Sequence, residues 1–120
     1  MANHLKAVNT ESSEHYLWGD GCDGWHLLKR EDVSVIQERV PPGKSETTHF
    51  HKLSRQLFYV LDGEAVIATG SQTIILKKHQ GVEVLPGVPH QFRNESSADV
   101  SFLVISVPKS HGDRYDAPLT

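Results

Sequence analysis

Cysteine is almost missing from this 120-residue chain, which carries only Cys22. No disulfide can form within it, and a lone thiol in a chain of this size suits a reducing compartment, so a cytoplasmic protein is expected. Asp20 and Asp23 flank that thiol, and their negative charge opposes thiolate formation, which argues against a cysteine nucleophile. The opening residues Met1-Ala2-Asn3-His4-Leu5-Lys6 lack the apolar stretch of a secretory signal. No apolar run approaches the roughly 20 residues that cross a bilayer, so no membrane partner is expected. Basic clusters are missing as well. Twelve Lys and Arg stand against fifteen Asp and Glu, for a formal net charge of -3, and nothing in that pattern tracks a phosphate backbone, so nucleic acid is not an expected partner. There is no Gly-x-Ser-x-Gly elbow, phosphate-cradling glycine loop or paired-cysteine motif.

What the chain does have is histidine. Full protonation of its eight imidazoles would carry the formal charge from -3 to +5, so the charge responds to mild acid. Runs of about 5 to 8 residues rich in Val, Ile, Leu, Phe and Tyr, divided by Gly, Pro, Asp or Asn, predict an all-β fold. Strands are expected over 25–28, 33–40, 47–51, 57–61, 65–69, 72–76, 82–85, 90–93 and 100–107. Turn chemistry supports the divisions, with Pro41-Pro42-Gly43, Asp62-Gly63 and Pro86-Gly87-Val88-Pro89 between runs. Closing so many short strands into a barrel or jelly roll hides their edges and encloses a pocket. Residues 1–24 are polar and irregular and read as an N-terminal arm, 25–110 as the barrel, and 111–120 as a C-terminal tail. Leu57-Phe58-Tyr59-Val60-Leu61 and Phe102-Leu103-Val104-Ile105 are apolar on both faces, so a second copy covering an outer face is expected, as a homodimer.

His49 and His51 are two apart in an extended segment and therefore share a face, where two imidazoles can hold one ion. Gln56 follows five residues later, and His90 stands on another strand after a Pro-Gly turn. If Gln56 faces inward, Phe58 and Val60 share its face; if His90 does, Phe92 and Asn94 follow. Phe58 and Phe92 are therefore candidates for the pocket wall. On the strand before, Gln37 and Arg39 alternate with Ile36, Glu38 and Val40, so one of the two polar sets meets either pocket or solvent. Arg39 is a candidate for gripping a substrate carboxylate with its forked guanidinium. No acid or base is assigned; Glu46, Glu64 and Glu83 are candidates only by closeness in the chain.

The spacing Gly43-(5 residues)-His49-x-His51-(4 residues)-Gln56-(6 residues)-Gly63 resembles the first motif of the cupin superfamily, and Pro86-Gly87-(2 residues)-His90-(3 residues)-Asn94 resembles the second. The resemblance implies a double-stranded β-helix, commonly dimeric. It also implies a metal site in which two histidines and an acidic residue of the first motif join a histidine of the second. Here those positions are His49, His51, Gln56 and His90. Gln56 replaces the usual glutamate, and Gly81 lies only six residues before Gly87. Three neutral imidazoles and an amide oxygen leave the full double charge on a divalent ion, which then favours anionic oxygen ligands. Zn, Ni, Mn, Fe and Co all suit such donors. Cupins with three histidines and one glutamine include enzymes that open the rings of unsaturated uronic acids. The expected function is a metal-dependent enzyme acting on an anionic small molecule (a sugar acid, another carboxylate or an enediol) by Lewis-acid catalysis. A metal-dependent dioxygenase and a non-enzymatic ligand-binding or sensor module are the alternatives.

Overall fold

The computed structural model describes residues 5–118, and its regular elements are all strands. They are β1 (Glu14–Trp18), β2 (Cys22–Lys29), β3 (Ser34–Val40), β4 (His49–Phe50), β5 (Arg55–Asp62), β6 (Ala65–Thr69), β7 (Thr73–Leu76), β8 (Gly81–Val84), β9 (His90–Arg93), β10 (Val100–Val107) and β11 (Tyr115–Asp116). Six form a sheet in the order β1-β2-β3-β10-β5-β8, and five form another in the order β11-β4-β9-β6-β7. Every recorded pairing is antiparallel. No helix among the described residues is long and apolar enough to cross a membrane.

Strand alternation decides what each sheet turns inward. Along β10, Phe102, Val104 and Ser106 are buried while Ser101, Leu103 and Ile105 are only partly so. Along β5, Gln56, Phe58 and Val60 are buried between more exposed neighbours. The two inner faces meet in one core that joins Phe58, Val60 and Phe102 from the larger sheet to Ala65, Ile67 and Phe92 from the smaller. Phe92 and Phe102 stack with ring centroids 4.0 Å apart. Asp62-Gly63 makes the tight turn into β6, with Gly63 at φ 89°, where a side chain is strained.

The ends of the chain depart from the sequence reading. Residues 14–24, expected as the last part of an irregular arm, form β1, its turn and the start of β2. The glycine-rich run 19–24 is a hairpin turn and strand start rather than a linker, with Gly19 and Gly21 at positive φ. Trp18 packs against the core and its indole N–H donates to the Asp23 carbonyl at 3.1 Å. The tail expected over 111–120 also folds back. Its β11 pairs with β4, and Tyr115 stacks on Phe50 at 5.4 Å. Asp113 accepts the backbone N–H groups of Lys52, Leu53 and Ser54 at 3.0, 2.9 and 2.9 Å. The first four residues of the expected arm, His4 included, and the last two of the tail lie outside the described residues.

Candidate metal centre

Two strand neighbours bring the histidines together. His49 on β4 is directly opposite His90 on β9, and His51, two residues beyond His49, turns to the same side. Ring centroids are 4.6 Å apart for His49 and His90, 5.0 Å for His49 and His51, and 5.7 Å for His51 and His90. One nitrogen from each of the three lies within 4.8 Å of the others, an arrangement that can hold a metal ion. The Pro86-Gly87 turn is fastened to the same place: Gly87, at φ 83°, donates its N–H to the His51 carbonyl at 2.6 Å. The two sequence motifs are thereby joined through backbone as well as through side chains.

The surroundings fix which nitrogen faces the ion site. His49 Nδ1 donates to the Thr47 carbonyl at 2.7 Å, and His90 Nδ1 to the Val88 carbonyl at 2.9 Å. Both rings are then protonated on Nδ1, leaving the Nε2 lone pair free, as in metal-binding histidines whose other ring nitrogen is held by a backbone carbonyl. His90 Nε2 is buried with no hydrogen-bond partner among the described residues. Gln56 on β5 donates its amide N–H to Ser106 Oγ at 3.1 Å, while its Oε1 is buried and has no partner among the described residues. Gln56 lines the same cavity as His49 and His51. Unpartnered buried acceptors are expensive unless something meets them, so these donors fit a cation.

Protonation states agree. Burial pushes His49 down to about 3, with the Thr47 hydrogen bond acting against it. Burial and then the neighbouring His90 bring His51 to about 4. His90 is lowered too, first by burial. All three are neutral at pH 7, the state in which imidazole binds a metal.

A family model of the cupin domain matches residues 36–106. The chain belongs to the cupin family. An uncharacterized protein of Methanocaldococcus jannaschii is 27% identical to this cupin over 117 residues, covering 91% of this chain and 94% of its own. The oxalate-binding protein of Thermotoga maritima is 25% identical over 87 residues, 68% of this chain and 72% of its own. Among solved structures, the polyketide cyclase RemF of Streptomyces resistomycificus superposes with a TM-score of 0.81 at 17% identity, covering 98% of this chain and 88% of its own. A Klebsiella pneumoniae protein with a double-stranded β-helix domain gives 0.79 at 19%, covering 96% and 99%. At these identities the structures establish the fold, the double-stranded β-helix.

Beside His49 and His51 the cupin barrel opens into a cavity of about 980 Å³. Phe58 is on its wall. The other two pocket candidates from the sequence are elsewhere. Phe92 is 1% exposed and sealed in the stacked core, because the step from His90 to Phe92 runs inward toward Phe102. Arg39 is on the outer face of β3, bound to Asp23 and Asp99 and donating to the Gly21 carbonyl. Its strand parity is opposite to that of Ser34, Ile36 and Glu38, which do line the cavity. Of the carboxyl candidates, Glu83 is exposed and paired with Arg55 at 2.6 Å, and Glu64 is exposed. Glu46 lies beside the site, its Oε2 4.0 Å from His49 Nδ1 and its Oε1 accepting the Phe92 N–H.

Tyr16, Glu38 and Arg114 are among the cavity residues to which the sequence reading gave no role. Burial raises Glu46 to about 7, against the Phe92 hydrogen bond and Arg114. Burial raises Glu38 to about 8, with Glu46 adding to it. Arg114 follows Asp113, whose carboxylate clamps the 52–54 backbone, so the folded-back tail delivers a guanidinium to the cavity mouth. Glu38 was legible as the alternative to Arg39 on β3; Arg114 carried no local signal.

Proposed function

We propose that this cupin holds one divalent metal ion on His49, His51, His90 and the Gln56 amide oxygen, and acts on an anionic small molecule by Lewis-acid catalysis. The substrate class is a sugar acid, another carboxylate or an enediol. The observation that carries this reading is a set of four neutral inward donors, two of them with buried unpartnered acceptor atoms, beside the Arg114 guanidinium. With no carboxylate among those donors, a bound ion keeps its charge for the ligand, where it polarises a carbonyl or carboxylate oxygen. Arg114 is suited to the ligand's carboxylate. Near pH 7 Glu38, raised to about 8, is mostly protonated and Glu46, raised to about 7, about half so, which lessens their repulsion of an anion.

The test is elemental analysis of tag-free protein, followed by calorimetry with oxalate as probe anion. The expected result is about one ion per chain, absent from a His49→Ala, His90→Ala double variant, and oxalate binding weakened about tenfold, or 1.4 kcal/mol, by Arg114→Ala. No retained ion after dialysis against Zn, Ni, Mn and Fe would falsify the reading. A non-enzymatic ligand-binding role is the second reading, supported by the oxalate-binding relative; a ligand bound tightly and released unchanged favours it. The reading includes a homodimer, supported by the apolar outer face of the six-stranded sheet, where Leu17, Leu28 and Leu57 are exposed. Light scattering that returns a monomer removes that part. A cytoplasmic setting is supported by the single, fully buried thiol of Cys22, and export in a cell-fractionation assay overturns it.

A further inference from the structure

Four carboxyl groups line the cavity, and three are engaged. Glu14 pairs with Lys29 and Glu31 with Lys109, while Glu46 is tied to the Phe92 N–H and lies against His49. Glu38 has no hydrogen-bond or ion-pair partner among the described residues, and its oxygens are not sealed from the cavity. Its place is set by a row across three strands. Tyr16 on β1 is opposite Gly24 on β2, and Gly24 is opposite Glu38 on β3. The Tyr16 ring lies over Gly24, where a β-carbon would overlap it, so glycine is what allows the phenol to reach across toward Glu38. The Tyr16 and His26 rings also meet, tilted by 35° with centroids 5.0 Å apart. An unpaired carboxyl beneath an aromatic lid, facing a cavity that also holds a cation site, is placed for proton transfer rather than for stability.

We propose that Glu38 is the acid–base residue of this pocket, moving a proton to and from a carbon next to a carbonyl of the bound anion, with Tyr16 across Gly24 as its positioning residue. The proposal rests on the metal-dependent reading above. In the step, the C–H bond of a hydroxyl-bearing carbon next to the ligand's carbonyl breaks, its proton passes to the ionised form of the Glu38 carboxyl, and the electron pair moves into the adjoining carbonyl to give an enediolate. Return of that proton to the former carbonyl carbon, while the hydroxyl proton passes from one enediolate oxygen to the other, completes an isomerisation with no further reactant. The raised proton affinity of Glu38, to about 8, puts it in the range where one group both gives and takes protons near neutral pH. The groups facing it are Tyr16 from β1, His26 from β2, Glu46 from the segment after β3 and Arg114 from the folded-back tail; β10 offers Phe102, its register partner, and Val104.

The test incubates metal-loaded protein in D2O with a panel of 2-oxo carboxylates, 2-hydroxy carboxylates and hexuronates, reading α-proton exchange by NMR. Wild type is expected to exchange at least one of them. Glu38→Gln is expected to slow that exchange about 100-fold or more while keeping its metal and binding the same compound. Glu38→Asp, which keeps the carboxyl but withdraws it by one methylene, is expected to slow exchange about tenfold and stands in should the Gln variant not fold. Tyr16→Ala admits water to the carboxyl and is expected to move the acid limb of the exchange profile down by about one pH unit. Glu83→Gln, on the outside of the barrel, is expected to behave as wild type. Exchange by Glu38→Gln within about threefold of wild type overturns the proposal, as does a wild type that binds members of the panel and exchanges none. A wild type that binds neither metal nor anion sinks the metal-dependent reading and this proposal with it, a result distinct from the first two.

Discussion

At one end of the barrel interior Phe92 and Phe102 stack at 4.0 Å, with Val40, Val60 and Val100 fully buried around them. At the other, two residues back along β9 and four back along β5, His90 and Gln56 hold buried polar atoms that nothing among the described residues satisfies. The same strands build both ends. Alternation chooses the inner side of each strand, but the row along the strand chooses between packing and chemistry. The apolar end gains from every contact it makes, whereas the polar end gives up stability to keep its donors free, a division common at functional sites.

The sharpest way to break this comparison is to truncate each end. Phe102→Ala is expected to cost about 3–5 kcal/mol in denaturant unfolding and to leave metal stoichiometry unchanged where the protein remains folded. The His49→Ala, His90→Ala variant is expected to do the reverse. Excess divalent metal at 100 times its dissociation constant should stabilise wild type by about 2.7 kcal/mol, and the double variant not at all. Equal metal stabilisation in both proteins would mean that the ion binds elsewhere.

A second prediction uses pH on metal-free protein. In the fold His49 stays neutral down to about 3 and His51 down to about 4, whereas in the unfolded chain they take up protons near the ordinary value of 6.5. At these two residues the unfolded state then binds more protons, so their contribution to stability falls as pH drops from about 6.5 toward 4. Glu38 and Glu46 act in the opposite sense, since their raised values favour the fold as pH falls, but they do so in both proteins. Removing His49 and His90 should therefore raise stability at pH 4.5, relative to pH 6.5, by about 2 kcal/mol over the change seen in wild type. Parallel stability curves for the two proteins would refute the neutral-imidazole assignment.

The smallest expected effect concerns the outer face. Arg39→Ala removes a half-exposed network with Asp23 and Asp99 and is expected to cost about 1 kcal/mol. Oxalate affinity, by calorimetry, should not change. A tenfold loss there would return Arg39 to the pocket.

The histidine pair was legible because side-chain alternation is local: His49 and His51 share a face wherever an extended chain carries them. Phe58 followed from Gln56 by the same rule. Parity failed on β3, where Val35, Ile36 and Val40 make both faces apolar enough to be inner, and only pairing with β10 put Glu38 inside and Arg39 outside. Depth failed for Phe92, since alternation gives a side but not how far along the strand the cavity ends. The tail failed because nothing near Arg114 in the chain announces that Asp113 will bind the backbone sixty residues away.

By itself the sequence determined the all-β class, the turns, the two motifs and the ligand candidates, because backbone periodicity and turn stereochemistry are properties of neighbouring residues. Tertiary structure alone decided which nitrogen of His49 and His90 faces the ion site, which carboxyl is left free, and which arginine meets the cavity. Those depend on carbonyls, strands and a returning tail that are distant in the chain, and only folding makes them neighbours.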